Sequence, residues 1–252
     1  MVLVDFNGLA IGSIMGQLSR GEELSENLVK HIIINNLRVY RNKYKEADYG
    51  KMVIACDSYS WRKDVFPEYK AARKANRATD KHDWPMIFDL IEDTLNDLRE
   101  NFPYAVIKID SAEADDIIGA LTVHKSTPLI GEDVVIISAD KDFIQLQQYG
   151  HVIQWSPMFN KMIKEDNPRR YLFEHLLKGD AGDGVPNANS HDDVFVTAAR
   201  QTPMTKKAID KYWDNRDDLE MIMKPNVFRN FMRNVQMIDL SNTPDGIREA
   251  SI

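Results

Sequence analysis

Cysteine is almost missing from the 252-residue sequence, which contains only Cys56. A single thiol cannot form an intramolecular disulfide or a thiolate metal cluster, and its rarity indicates a reducing compartment. Long apolar runs are missing too, since none approaches the roughly 20 residues of a membrane-spanning helix. Met1 leads directly into V-L-V-D-F, so we expect no signal peptide. These absences predict a cytoplasmic protein that does not interact with membranes.

Positive charge is in deficit: 32 Lys and Arg face 39 Asp and Glu, which gives a net charge of −7. Such a balance argues against a nucleic-acid partner, unless acids and bases lie on separate surfaces. The hydrophobic fraction of 43% is typical of a globular chain with a sizeable core.

Short runs rich in Val and Ile predict buried strands at 1–6, 52–57, 104–110, 133–140 and 151–155. Segments with helical periodicity lie between them, at about 22–45, 84–102, 113–125 and 142–149. This alternation predicts an α/β fold with a mostly parallel central sheet flanked by helices. Beyond residue 165 the predicted elements are helical, at 169–178, 204–214 and 216–240. We therefore expect an α/β core over 1–165, continuous with a mainly helical part over 166–252.

Acidic residues cluster where predicted strands end and the next helices begin. They are Asp5, Asp57, Asp110 and Asp140 at strand ends, Asp142 just after, Glu113, Asp115 and Asp116 at a helix start, and Asp180 and Asp183 in G-D-A-G-D-G. Ligands bind outside the carboxyl ends of parallel strands, so these acids are predicted to converge at one edge of the sheet. Each alone fits a turn or a cap, and Asp110 as N-cap would place Glu113 at the N3 position of a capping box. Capping does not explain the adjacent pair Asp115-Asp116, whose charges repel.

Carboxylates at close range repel one another. Either their pKa values rise, or a bound cation offsets their charge. Oxygen ligands without a His or Cys cluster favour Mg²⁺ or Mn²⁺ over Zn²⁺. Two such ions about 4 Å apart are a common arrangement for hydrolysing phosphodiesters.

Bases and aromatics alternate in W-R-K-D-V-F-P-E-Y-K-A-A-R-K-A-N-R, residues 61–77. The bases are Arg62, Lys63, Lys70, Arg73, Lys74 and Arg77. This composition predicts a surface for single-stranded nucleic acid, and the alternative is an ordinary solvated helix face. Leaving nine candidate metal-site acids out of the count, namely the acids above without Asp110, changes the net charge from −7 to +2. The acidity is therefore at least partly that of the predicted metal site.

Several motifs occur in the order found in the flap-endonuclease family of structure-specific 5′ nucleases. They are D-F-N-G, A-C-D, Y-K-A-A-R-K, E-A-D-D-I-I-G, I-S-A-D-K-D-F-I-Q-L and G-D-A-G-D-G-V-P, and they cover about residues 2–187. The chain resembles this family, and Q-W-S-P-M and the tail I-D-L-S-N-T-P-D are most similar to the T-even phage ribonuclease H branch. The resemblance implies the family's PIN-like nuclease fold.

The resemblance also implies residue roles. One Mg²⁺ or Mn²⁺ ion would be held by Asp5, Asp57, Glu113 and either Asp115 or Asp116, and a second by Asp140, Asp142 and Asp183 with Asp180 nearby. Lys70 and Arg73 match the basic pair of a helical arch, here at about 58–82, that reaches the scissile phosphate. Tyr69 would stack on a displaced base, and Lys206 and Lys207 would contact duplex. The glycine-rich hairpin that often binds K⁺ in this family is absent after G-D-G-V-P-N, which argues against a K⁺ site.

Our leading hypothesis is a monomeric, metal-dependent 5′→3′ exonuclease and flap endonuclease with ribonuclease H activity. Its substrates would be RNA–DNA hybrids and flap, nicked or 5′-end duplex DNA in replication, in the host cytoplasm if a phage encodes it. A single-stranded-DNA-binding protein or a sliding clamp would be its protein partner. One alternative is a catalytically weak protein that binds DNA junctions or single strands. Another is a two-metal phosphohydrolase for small substrates, which would have no use for the basic segment.

Overall fold

The computed structural model describes residues 1–252 apart from the side chains of residues 74 and 75. The strands are β1 Val2–Asp5, β2 Met52–Cys56, β3 Ala105–Lys108, β4 Val134–Ile137, β5 Val152–Ser156 and β6 Lys161–Ile163. The α-helices are α1 Phe6–Leu18, α2 Glu26–Lys43, α3 Glu46–Tyr49, α4 Arg62–Val65, α5 Ala71–Ala78, α6 Trp84–Asn101, α7 Ala114–Lys125, α8 Pro168–Lys178, α9 Lys206–Asp214, α10 Leu219–Ile222, α11 Pro225–Ile238 and α12 Asp245–Ser251. Short 3₁₀ helices span Lys141–Tyr149, Arg216–Asp218 and Leu240–Asn242. Within these described residues, no helix combines the length and apolar character needed to cross a bilayer.

The six strands form one sheet in the order β3-β2-β1-β4-β5-β6. Neighbouring strands are parallel except β6, which pairs antiparallel with β5 at the edge of the sheet. The strand order reverses direction at β1, since β2 lies on one side of it and β4 on the other. The predicted α/β class with a mostly parallel, helix-flanked sheet is confirmed, and β6 is an addition that was not predicted.

Helices cover both faces of the sheet, so strand residues that point to either face are buried. Val4, Ile54 and Ile137 pack in a core with residues of α1, α2 and α6. The intervening residues, such as Leu3 and Ile136, are equally buried. On their side α7 contacts β1, β2 and β4, and α12 packs on α7. Continuous Val and Ile runs are what such doubly covered strands require.

The chain divides into two compact units, which differ from the predicted parts in two places. The first unit comprises 1–59, 83–165 and 244–252, and the second comprises 60–82 and 166–243. The segment 60–82 groups with the later helices because Phe66 lies under the Arg233 guanidinium and Tyr69 bonds to Asp183. The last helix groups with the first unit because it packs on α7.

Local departures from the predicted elements have local causes. Helix α1 was not predicted, because its glycines interrupt the apolar pattern, and Asp5 caps it by accepting a hydrogen bond from the Gly8 amide. The predicted helix 216–240 breaks before Pro225, which starts α11. Residues 142–149 form a 3₁₀ helix. The predicted cap at Asp110 is wrong, since α7 begins at Ala114 with Glu113 as N-cap.

Candidate active site

Ser138 joins the ends of β1 and β4. Its buried hydroxyl donates to Asp5 Oδ2 at 2.8 Å and accepts from the Asp140 amide at 3.1 Å. Asp5 Oδ1 accepts in addition from the Gly8 amide at 2.9 Å. Sequence reasoning missed this serine, although it stands directly between the fourth strand and the acids of A-D-K-D. These bonds fix the Asp5 carboxylate and the backbone of Asp140 at the edge where ligands of α/β sheets bind.

The end of β2 is joined to the start of α7. Asp57 Oδ1 accepts from the Ala114 amide at 2.9 Å. Glu113 is buried as the N-cap, and its own amide donates to Asp116 Oδ2 at 3.0 Å. Asp116 is fully buried, whereas Asp115 is half-buried. The burial and cap contact of Asp116 indicate a structural role, so Asp115 is the better placed of the pair to contact a ligand directly.

The strand order brings these groups to one edge. Strands β2, β1 and β4 are neighbours about 4.8 Å apart, so Asp5 lies between Asp57 and Asp140. Asp140 also caps the following 3₁₀ helix by accepting from the Asp142 amide at 2.9 Å. The backbone carbonyl of Asp140 accepts a hydrogen bond from the side-chain amide of Gln154, which lies on β5 and is fully buried.

In the second unit, the G-D-A-G-D-G loop is held by its first aspartate. Asp180 is buried and Oδ1 accepts from the amides of Gly182 at 2.7 Å and Asp183 at 3.2 Å. Asp180 Oδ2 lies 3.5 Å from Nε2 of the buried His175. Gly179 has a positive φ of 67°, and a Cβ there would overlap the Val185 carbonyl oxygen. The loop is therefore closely packed at Gly179 and held by the Asp180 side chain.

Asp183 pairs with the predicted basic segment. Tyr69 donates its hydroxyl to Asp183 Oδ2 at 2.9 Å, and Lys70 Nζ lies 3.4 Å from the same oxygen. Arg73 forms an ion pair with Asp183 Oδ1 and donates from Nε to the Gly182 carbonyl at 3.1 Å. The structure thus brings a predicted metal-site acid and the predicted phosphate-contacting pair together within this unit.

Two of the predicted nucleic-acid contacts, Arg62 and Tyr69, are buried in the structure. Arg62 is 2% exposed and donates from Nε to the Met237 carbonyl at 2.8 Å, so it anchors its segment internally. Tyr69 is 3% exposed, and its hydroxyl is bonded to Asp183. The sequence shows charge and aromaticity in this segment but not which side of the chain faces inward.

The remaining predicted contacts differ in exposure. Lys63, Lys206 and Lys207 are exposed, and the last two begin α9 after its N-cap Thr205. Arg77 is half-buried, and burial followed by the charge of Arg73 lowers its pKa. Lys74 lies outside the described side chains.

A polar face of α11 supports the loop after G-D-G-V-P, and none of its residues was predicted. Asn234 donates to the carbonyls of Leu176 at 2.7 Å and Pro186 at 3.0 Å. Arg233 donates to the Pro186 carbonyl at 2.7 Å and pairs with Asp192. These bonds hold the loop that follows G-D-G-V-P.

Residues 2–172 match the family model described as the 5′-3′ exonuclease N-terminal resolvase-like domain. The chain belongs to the 5′-3′ exonuclease family. The match covers the first unit's strands, all of its strand-end acids and the basic segment, so the predicted family is confirmed.

Relatives in this family include nucleases of phage and bacteria. The chain is 30% identical to the ribonuclease H of Enterobacteria phage T4 over 253 residues, which cover 97% of this chain and 82% of that protein. It is 31% identical to the flap endonuclease Xni of Shewanella pealeana over 153 residues, 57% of this chain and 55% of that protein. The chain thus spans about half the length of the flap endonuclease. The prediction that it is a nuclease is confirmed.

Solved structures of phage T5 proteins share the fold. The T5 5′-exonuclease, described with bound divalent zinc ions, superposes with a TM-score of 0.69 at 16% identity and covers 100% of this chain and 96% of that one. The T5 flap endonuclease in a complex with DNA and metal ions gives a TM-score of 0.69 at 17% identity, with 99% and 95% covered. These 5′-3′ exonuclease-family structures show the fold at sequence identities too low to transfer individual residues.

Proposed function

We propose that the protein is a divalent-metal-dependent 5′→3′ exonuclease and flap endonuclease with ribonuclease H activity. Its substrates would be RNA primers on DNA and the 5′ ends or flaps of duplex DNA. The relationship to a phage ribonuclease H supports a role in phage DNA replication in the host cytoplasm.

One observation carries the proposal: Asp57, Asp5 and Asp140 lie at or just beyond the carboxyl ends of the three adjacent strands β2, β1 and β4. The Ser138 hydroxyl fixes the Asp5 carboxylate through a hydrogen bond of 2.8 Å, and the Ala114 amide at the start of α7 fixes the Asp57 carboxylate through one of 2.9 Å. Carboxylates held side by side at one edge of a sheet repel one another, and a bound cation offsets that repulsion.

The donor set fits Mg²⁺ or Mn²⁺, because it consists of hard carboxylate oxygens on the edge of a rigid sheet. Asp5, Asp57, Glu113 and Asp115 would hold one ion, with Asp116 supporting the helix start. Asp140, Asp142, Asp180 and Asp183 would hold or support the second. When bound, the ions would activate water and neutralise charge at the phosphate.

Lys70 and Arg73 would act on the phosphate directly. Both side chains converge on Asp183, with Lys70 Nζ 3.4 Å from it, so they are held close together and pointed in one direction. Two cations so placed would bind a phosphodiester and stabilise the charge that develops on it. Lys63, Arg77, Lys206 and Lys207 would contact the backbone further from the cut.

A cleavage assay tests the proposal. A labelled 5′-flap duplex and an RNA–DNA hybrid are incubated with the protein in Mg²⁺ or in EDTA, and Asp57→Asn and Asp140→Asn are compared with wild type. We expect cleavage only in Mg²⁺, lost in both variants, while calorimetry shows weakened Mn²⁺ binding. Asp110→Asn is the matched control, since this exposed aspartate follows β3 but is not a proposed ligand.

Intact substrate in Mg²⁺ at micromolar protein would refute the nuclease proposal. Tight binding of the flap without cleavage would favour the alternative of a junction- or strand-binding protein. Normal cleavage by both aspartate variants would show that the proposed ligand set is wrong.

A further inference from the structure

The basic segment meets the G-D-A-G-D-G loop through its backbone as well as its side chains. The Lys70 amide donates to the Asp183 carbonyl at 2.7 Å. Lys70 itself has a φ of 56° and a ψ of 14°, in the left-handed region that residues other than glycine seldom adopt. A backbone conformation of this kind persists only where the surrounding contacts hold it. The contact with the loop therefore helps to fix the point at which α5 begins.

Gly184 permits this close approach of the two chain segments. It has a positive φ of 73°, and a Cβ there would lie 2.9 Å from the Glu68 carbonyl oxygen and 3.4 Å from the Lys70 nitrogen. Both of these atoms belong to the backbone, so they cannot turn aside as the end of a flexible side chain could. Glycine is thus required here by its conformation and also by the chain that crosses it.

The Tyr69 side chain is directed into this contact. It is buried, and its hydroxyl donates to Asp183 Oδ2 at 2.9 Å. Lys70 Nζ lies 3.4 Å from the same oxygen, and Arg73 pairs with Oδ1. The Asp183 carboxylate thus receives a phenol, an ammonium and a guanidinium from one short stretch of chain.

The phenol differs from the other two donors in its charge. Lys70 and Arg73 are cations, so a metal ion on Asp183 would repel both of them, and a phosphate would attract both away from the carboxylate. The Tyr69 hydroxyl is neutral, so neither ligand displaces it by charge. Hydrogen bonds from a neutral outer partner are what orient a carboxylate that binds a metal.

We propose that Tyr69 is a positioning residue that acts through its hydroxyl, which holds the Asp183 carboxylate oriented for a divalent cation. The contact of Gly184 with residues 68–70 places Lys70 beside that carboxylate. The inference rests on the proposed function for the roles of Asp183 and Lys70. This role of Tyr69 differs from stacking on a displaced base, which needs the ring and not the hydroxyl.

Cleavage of a labelled 5′-flap duplex in Mg²⁺ separates the hydroxyl from the ring. Tyr69→Phe removes only the hydroxyl, whereas Tyr69→Leu removes the ring as well. We expect Tyr69→Phe to lower kcat about ten-fold or more and to change KM less than about two-fold, and Tyr69→Leu to lose at least as much activity. Tyr104→Phe is the matched control, since its ring stacks on Phe102 before β3, at the opposite edge of the sheet from the strand-end aspartates.

Mn²⁺ titration followed by electron paramagnetic resonance gives a second measurement that needs neither substrate nor cleavage. Tyr69→Phe should weaken Mn²⁺ binding about ten-fold at one site, because loss of an outer hydrogen bond to a ligand typically costs 10–100-fold. Tyr104→Phe should bind Mn²⁺ as wild type does.

Hydrogen exchange in EDTA tests the contact at Gly184. Gly184→Ala should speed exchange of the peptide that contains the Lys70 amide about ten-fold, because the added methyl separates the amide from its acceptor. Gly150→Ala is the matched control, since Gly150 has a similar φ of 79° but a Cβ there would meet no atom within 4 Å. Tyr69→Phe should leave this exchange close to that of wild type, because the backbone contact remains.

Full activity and unchanged Mn²⁺ affinity in Tyr69→Phe, with losses only in Tyr69→Leu, would overturn the inference and favour stacking by the ring. Faster exchange throughout the second unit in Tyr69→Phe would show a general effect on stability and would also overturn it. Unchanged exchange in Gly184→Ala would overturn the role given to Gly184. Weaker Mn²⁺ binding by Tyr69→Phe, in a protein that cleaves nothing, would support the inference and refute the nuclease proposal, so the two failures are distinguishable.

Discussion

Replacing Ser138 by alanine should destabilise the first unit, because one hydroxyl connects two strand ends. The hydroxyl is buried, donates to the Asp5 carboxylate at 2.8 Å and accepts from the Asp140 amide at 3.1 Å. A hydrogen bond to a charged group contributes about 1.5–3 kcal/mol, and loss of the second, partly buried hydrogen bond from the Asp140 amide adds about 1 kcal/mol. We therefore expect the free energy of unfolding to fall by roughly 2–4 kcal/mol.

Urea unfolding at neutral pH measures this loss, with Ser19→Ala as control because its exposed hydroxyl bonds only to the Gly16 carbonyl. The control should stay within about 0.5 kcal/mol of wild type. A double-mutant cycle with Asp5→Asn should give a coupling energy of at least 0.5 kcal/mol in magnitude, as contacting pairs do. A loss below about 0.5 kcal/mol in Ser138→Ala, or additive effects in the cycle, would refute the reasoning.

Three further predictions concern other parts of the chain. Burial raises the pKa of Cys56 to about 12, so at pH 8 roughly one thiol in ten thousand is ionised. A thiol reagent should therefore react only after urea unfolding, and rapid labelling of the native protein would contradict this. Burial opposes the ionisation of Asp192, but Arg229 and Arg233 outweigh it and lower its pKa. Its stabilisation should be full above the ordinary carboxyl pKa and lost as the pH falls through the lowered value. The stability difference between wild type and Asp192→Asn, followed by urea unfolding, should thus shrink towards acid pH, and a constant difference would exclude this pair as the cause. Gly179→Ala should lower the free energy of unfolding by about 1 kcal/mol or more, because the positive φ disfavours alanine and the added methyl would overlap the Val185 carbonyl oxygen. An unchanged midpoint of urea unfolding would contradict this prediction.

The sheet and its acids could be predicted because their signals are local. Most strands are short Val and Ile runs, and Asp5, Asp57 and Asp140 lie at or just beyond the ends of such runs. Because β1 pairs in parallel with β2 and β4, the three aspartates lie at the same edge of the sheet. The family motifs supplied the individual roles that this reasoning alone does not assign.

The features that were not predicted depend on tertiary contacts. Ser138 matters only because β1 and β4 are neighbours, and the pair of Arg233 with Asp192 joins residues 41 positions apart. Arg62 carries the same charge as its exposed neighbour Lys63, yet it points inward. Helix α1 was missed because Gly12 and Gly16 interrupt its apolar periodicity.

The pairing of Asp183 with Lys70 and Arg73 has a thermodynamic consequence under the proposed function. A cation bound to Asp183 would compete with the two bases, and a phosphate bound to the bases would compete with Asp183. Each ligand would release the partner that the other needs, so metal and nucleic acid would increase each other's affinity by the same factor. The three side chains would then act as a reciprocal switch that favours having both ligands over having either one.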